Sequence, residues 1–252
     1  MSRIKVYYDF KKRLVHDLLK PHCGKSVLIE QYNIWIYKHE CTVPIIRTIT
    51  KLISKYEDLC SINIVLCTIE INALKLLLDH IKTRVKNASL SLIKMYLSDE
   101  CVSYLSTIIE NPCNIRDISI HGGYIPNQKS LIKSLSKTTL YRFTLVSKSM
   151  IFDQSYLDMI CQLIESNNPN LRELYIYLYG TAARDITEKN IYQRIFKSIC
   201  ENTELDNIGI YYPRLYLTDE KSISSTYNMS IRYLLERNRR IRSMKRNEIK
   251  SE

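Results

Sequence analysis

The chain has 252 residues, 45% of them apolar and 25% charged, a balance that excludes a disordered segment and is enough for a sizeable core, in one large domain or two small ones. Its formal charge is +11, but Lys and Arg at 232, 237, 239, 240, 242, 245, 246 and 250 against Glu236, Glu248 and Glu252 put +5 of that after residue 231. The remaining excess is spread thinly, which argues against a nucleic-acid-binding body, and no apolar run of about 18 residues marks a membrane span.

Residues 3–20 place Val6, Phe10, Leu14 and Leu18 at four-residue steps, and so predict an amphipathic helix that ends before Pro21. Lying outside the later pattern, it is expected to cap one end of the molecule, over residues 1–26. Cysteines at 23, 41, 60, 67, 101, 113, 161 and 200 include no C-x-x-C pair, and several sit in apolar runs. With no apolar leader in front, free thiols in a reducing, cytoplasmic setting are expected.

From residue 27 one phrase recurs. An apolar residue is followed by others at the fourth and sixth positions, and then by a segment of helical period. The phrase starts at Ile29, Leu59, Leu90, Ile115, Leu140, Leu171 and Leu205, at intervals of 30, 31, 25, 25, 31 and 34 residues. The sixth copy is the clearest: Leu174, Ile176 and Leu178 alternate as a strand requires, and the helix-period run before it stops at Asn167-Asn168-Pro169. Glu110-Asn111-Pro112 and Glu201-Asn202-Thr203 form similar junctions. In the third copy, Leu92-x-x-Met95-x-Leu97 is an equally good register. One strand and one helix cannot bury a shared apolar face alone, so each unit needs its neighbours. A doubly wound α/β domain also alternates strand and helix, but no Gly-rich phosphate loop follows the first strand.

The phrase resembles the leucine-rich repeat, specifically the longer repeats of the ribonuclease-inhibitor-like subclass. The resemblance implies an α/β solenoid of about seven irregular strand–helix units over residues 27–240, with a basic tail over 241–252. The family's Asn or Cys three residues beyond the sixth position is matched only by Cys67. The composition, rich in Ile, Lys, Asn and Tyr, is similar to that of leucine-rich proteins from large DNA viruses and AT-rich intracellular parasites, which implies engagement of host factors.

In such a solenoid the third, fifth and seventh positions of each unit line the concave face. They are Gln31, Asn33 and Trp35 in the first unit, Ser61, Asn63 and Val65 in the second, and Leu92, Lys94 and Tyr96 in the third. The later units contribute Asp117, Ser119 and His121; Arg142, Thr144 and Val146; Glu173, Tyr175 and Tyr177; and Asn207, Gly209 and Tyr211. Tyr and Arg combine contact area with a polar tip, so the candidate partner-binding set is Tyr96, Arg142, Glu173, Tyr175, Tyr177 and Tyr211. At the C-terminus, Arg237, Arg239, Arg240, Arg242, Lys245 and Arg246 are candidate phosphate contacts and a candidate nuclear-import address. Residues 236–241 are expected to form the junction to an eighth strand that does not develop.

No constellation points to catalysis, a cofactor or a metal. Gly24-Lys25-Ser26 has Leu19 where a phosphate loop needs its first glycine, and His121-Gly122-Gly123 has no G-x-S-x-G elbow to serve. His22, Cys23, His39 and Cys41 lack the paired spacing of a zinc site. The expectation is a non-catalytic, cytoplasmic protein–protein interaction scaffold. A nucleic-acid-associated protein acting through its tail is the alternative.

Overall fold

Runs in which every second residue is Ile or Leu become strands, and the runs of helical period between them become helices. The structure, a computed structural model, describes residues 12–14, 26–30, 33–37, 40–54, 61–85, 88–111, 114–122, 125–147, 151–178, 181–182, 187–211 and 231–244. The elements begin with β1 (Lys12–Leu14), β2 (Ser26–Glu30), β3 (Asn33–Tyr37), β4 (Glu40–Cys41), α1 (Val43–Ile53), β5 (Ser61–Val65), β6 (Thr68–Ile69) and α2 (Ile71–Arg84). Then come β7 (Ala88–Ile93), α3 (Asp99–Glu110), β8 (Ile115–His121), α4 (Gln128–Ser134), β9 (Arg142–Ser147), β10 (Ile151–Phe152) and α5 (Gln154–Glu165). The last are β11 (Glu173–Leu178), β12 (Thr181–Ala182), α6 (Glu188–Glu201), β13 (Asn207–Tyr211) and α7 (residues 231–244). Ser98, Asp153 and Thr187 start α3, α5 and α6 by accepting hydrogen bonds from the amides of Cys101, Tyr156 and Asn190.

β3, β5, β7, β8, β9, β11 and β13 pair in parallel and in sequence order, and β2 and β1 extend the sheet antiparallel beyond β3. A doubly wound sheet reverses its strand order. Among the described strands this one does not. Each helix from α1 to α6 packs on the next, so these helices form one layer against one face of the sheet. Ile34, Ile36, Ile62, Ile64, Leu90, Leu92, Ile118, Ile120, Phe143, Leu145, Leu174 and Ile176 point into that layer and are buried. Each such side chain contributes about 2 kcal/mol by leaving water. The other face of the sheet stays uncovered by these helices.

The pairing corrects two registers. Ile34, Ile62, Leu90, Ile118, Phe143, Leu174 and Ile208 are aligned across the sheet, at spacings of 28, 28, 28, 25, 31 and 34 residues. The first unit therefore starts at residue 31, not Ile29, a two-residue slip that leaves the strand faces unchanged. The third starts at residue 87, not Leu90, and a slip of three exchanges them. Leu92 is core rather than surface, while Lys94 and Tyr96 follow the end of β7. The alternative starting at Leu92 fails too. Ser89-Leu90-Ser91-Leu92 already has period two; Met95 and Leu97, buried beyond the strand, imitate the phrase one step late.

Both ends also differ from expectation. Where the helix over 3–20 is described it is instead β1, paired with Leu28, Ile29 and Glu30; the rest of that helix lies outside the described residues. The unpaired edge of β2 offers a full set of backbone partners, and such pairing overrides a local helical period. At the other end α7 runs through residues 236–244, so the expected junction and the first residues of the expected tail are helical.

Buried polar side chains tie consecutive units together where helices end. Asn168 Nδ2 donates to the carbonyls of Leu135 (3.0 Å) and Thr138 (3.0 Å), and its Oδ1 accepts from Asn170 N (2.8 Å). Asn202 donates to Ile164 O (2.6 Å) and accepts from the amides of Glu204 (2.9 Å) and Leu205 (2.8 Å). Asn238, from within α7, donates to Asn202 O and Leu205 O, both at 3.1 Å. Cys67 serves the end of β5 in the same way, its Sγ reaching Val65 O (3.2 Å) and Ile36 O (3.5 Å).

Candidate functional site

Strand alternation and register arrange the uncovered face in three rows that cross the strands. The first runs through Ser61, Ser89, Asp117, Arg142, Glu173 and Asn207. The middle row runs through Trp35, Asn63, Ser91, Ser119, Thr144, Tyr175 and Gly209. Tyr37, Val65, Ile93, His121, Val146 and Tyr177 make the third, and the backbone of Tyr211 continues it.

Aromatic pairs stand toward either end. Trp35 and Tyr37 stack with centroids 5.9 Å apart and planes within 9°; Tyr175 and Tyr177 do so at 6.4 Å and 3°. The second pair leans across Gly209, where a Cβ would meet Tyr175 Cδ1 at 2.9 Å and Tyr177 Oη at 3.3 Å. Only a residue without a side chain lets the rings lie there.

Between the aromatics lies a charged triplet. Arg142 Nε donates to Glu173 Oε2 (2.7 Å), and Tyr175 Oη lies 3.4 Å from the same oxygen. Glu173 is 8% exposed, so its charge relies on Arg142. That hydrogen bond holds the Arg142 pKa above its ordinary value; burial, then the Glu173 charge, raises the Tyr175 phenol. Asp117, next to Arg142 in the row, forms no hydrogen bond or ion pair with a described residue, and its Oδ1 is sealed from solvent. Burial raises the Asp117 pKa, against the pull of Arg142 and Arg116. These three are the charged side chains of the rows, net −1 in a chain of +11.

Ser119 Oγ lies 2.5 Å from His121 Nε2, and burial lowers the imidazole pKa. A hydrolytic triad would need an acid on the far ring nitrogen. Asp117 stands four residues back along the same strand, about 13 Å away and beyond Ser119. Gly122, just after the pair, adopts φ 58° and turns the chain out of β8.

Of the predicted contact set, Arg142, Glu173, Tyr175 and Tyr177 converge. Tyr96 is 68% exposed but follows β7, outside the rows, and the side chain of Tyr211 lies outside the described residues. Tyr37 was missed because of the register slip in the first unit. Asp117 was placed on the face but not selected; its position beside Arg142 and Glu173 in the repeat columns was the available signal.

The candidate phosphate contacts are largely engaged within the molecule. Arg237 donates to Asn202 O (3.1 Å) and Arg239 to Asp206 O (2.8 Å) and Asn207 Oδ1 (2.7 Å). Arg242 grips the Asp206 carboxylate with both terminal nitrogens, one at 2.8 Å. Arg240 pairs with Glu236 at 3.0 Å on the surface, and Lys245 and Arg246 lie outside the described residues. The carbonyls and carboxylate around the end of α6 and the start of β13 draw these guanidinium groups inward.

The chain matches no protein-family model and no curated protein. Among solved structures it is similar to actin-binding site 2 of leiomodin-1, at 13% identity and a TM-score of 0.34 over 88% of each chain. It is also similar to the C-terminal domain of a Caenorhabditis elegans tropomodulin, at 14% identity and a TM-score of 0.38, over 81% of this chain and 98% of that one. Likenesses this slight carry no argument, so the reading of this face rests on its own geometry.

Proposed function

We propose that the chain is a non-catalytic leucine-rich repeat solenoid of the longer, ribonuclease-inhibitor-like kind, and that its uncovered strand face is a concave surface that binds a protein partner. The observation that carries this is the register: seven parallel strands in sequence order bring Trp35, Tyr37, Arg142, Glu173, Tyr175 and Tyr177 onto one face. Aromatic side chains and Arg dominate binding energy where they are partly preburied and held by neighbours. Glu173 holds Arg142 and Tyr175, and Gly209 makes room for the Tyr175 and Tyr177 rings. The free thiols of Cys41, Cys67, Cys101, Cys161 and Cys200 support a cytoplasmic setting, and the composition supports a host protein as the partner.

Replacing both Tyr175 and Tyr177 by Ala tests the reading. The double variant should keep the far-UV circular dichroism of the wild type and lose the proteins that the wild type captures from host-cell lysate, compared by quantitative mass spectrometry. An unchanged set of captured proteins rejects this face.

A further inference from the structure

We propose that the segment received by the uncovered face is an amphipathic helix of about three turns, laid across the strands, with a Lys or Arg over Asp117 and a carboxylate one turn away over Arg142. The proposal rests on the protein-binding reading above and adds the chemistry of the partner.

Spacing comes first. Neighbouring strands lie about 4.8 Å apart, and an α-helix advances about 5.4 Å per turn, so a helix crossing the strands gains roughly one turn per strand. An extended segment laid the same way repeats each face about every 6.7 Å and falls out of step within two strands. Shape agrees. In the middle row Asn63, Ser91, Ser119 and Thr144 are short, so a helix backbone can approach the sheet. Trp35 and Tyr175 bound that stretch five strand spacings apart, about 24 Å; allowing for the rings, this leaves room for about 16 Å of helix. The outer rows are four residues apart, about 13 Å, against a helix diameter of 10–12 Å.

Chemistry decides the orientation. Val65, Ile93 and Val146 on one flank suit an apolar stripe. On the other flank no described residue donates to Asp117, and among the described residues Arg142 is held through Nε. Half of the Arg142 side chain is exposed, and no described residue accepts from its terminal nitrogens. Two neighbouring positions thus present a carboxylate, whose Oδ1 is closed to solvent, and a half-exposed guanidinium fork. An oppositely charged i, i+4 pair on a helix, with about 5–6 Å between Cβ atoms, matches them. The net −1 of the face disfavours phosphate-bearing partners.

A displayed library of stapled helical peptides, each about 11 residues long, supplies the probe. Selection on the wild type should enrich peptides with Lys or Arg and Asp or Glu four apart, beside an apolar stripe. Ser91→Trp should abolish binding of those peptides, and Asp117→Asn should weaken it by about tenfold. Asp117→Arg combined with Arg142→Asp should select the reversed charge order. Failure to enrich helical binders, or enrichment without a charge preference, overturns the proposal. Loss of binding in Ser91→Trp with no change in Asp117→Asn overturns the charge-matched helix and leaves the face reading standing. Full binding to a folded Ser91→Trp, and to Thr144→Trp as a second block, overturns both.

Discussion

Asp117 is the residue whose surroundings fit its chemistry least. Half-buried, it has no donor among the described residues, and burial outweighs the two nearby arginines in setting its pKa. An acid whose folded pKa is raised contributes stability that is fully present below the unfolded value, about 3.9, and is lost as pH rises through the folded value. Asp117→Asn keeps the shape and removes the charge. Variant and wild type should therefore melt alike near pH 3, and the variant should be the more stable at pH 7. Thermal melts across that range check it. A wild type that is the more stable at pH 7 would mean that a donor already serves the carboxylate, and the case for a partner's cation would go with it.

At the scale of elements, what sets the units in order is as much polar as apolar. Asn202 bridges from the end of α6 back to Ile164 and forward to the amides of Glu204 and Leu205, and it is 2% exposed. Asn202→Ala leaves one buried carbonyl and two amides without this partner, which should cost about 3 kcal/mol in urea unfolding. A loss below about 1 kcal/mol would mean that water or backbone movement replaces those bonds. These junctions were visible in the sequence as a rhyme of Asn after helices, although their role as bridges was not. The strands were the most legible elements, because Leu174 and Ile176, or Ile118 and Ile120, alternate with polar residues and admit one register. Legibility failed where apolar residues continued past a strand, as at Met95 and Leu97. It failed again where helical period competed with an open sheet edge at Lys12–Leu14. The face was legible in its Tyr and Arg positions and in the place of Asp117 and Trp35; Tyr37, which completes the pair with Trp35, needed the true register.

For the whole molecule, sequential strand order means that each unit leans on its neighbours, so perturbations should stay local. The two ends are built differently. β2 pairs antiparallel with β3, and with β1 beside it extends the sheet at one end, while α7 is fastened to the turn before β13 by Arg237, Arg239 and Arg242 at the other. Arg242 and Asp206 are 17% and 16% exposed, so their pairing is shielded from the solvent that weakens surface ion pairs. Arg242→Ala strands the Asp206 carboxylate, and the loss of a charged hydrogen-bond pair should cost about 2 kcal/mol. In a stack coupled only through neighbours, that loss should appear as faster hydrogen exchange in α6, β11, β13 and α7, with β3, β5 and α2 unchanged. Faster exchange spread evenly from β3 to β13 would instead mark a single cooperative block, and the one-dimensional stack would be the wrong description. The same experiment bears on the charge of the chain: if Arg242 is as firmly engaged as its geometry indicates, its contribution to the +5 of the C-terminal segment acts inside the molecule, holding the last unit in place.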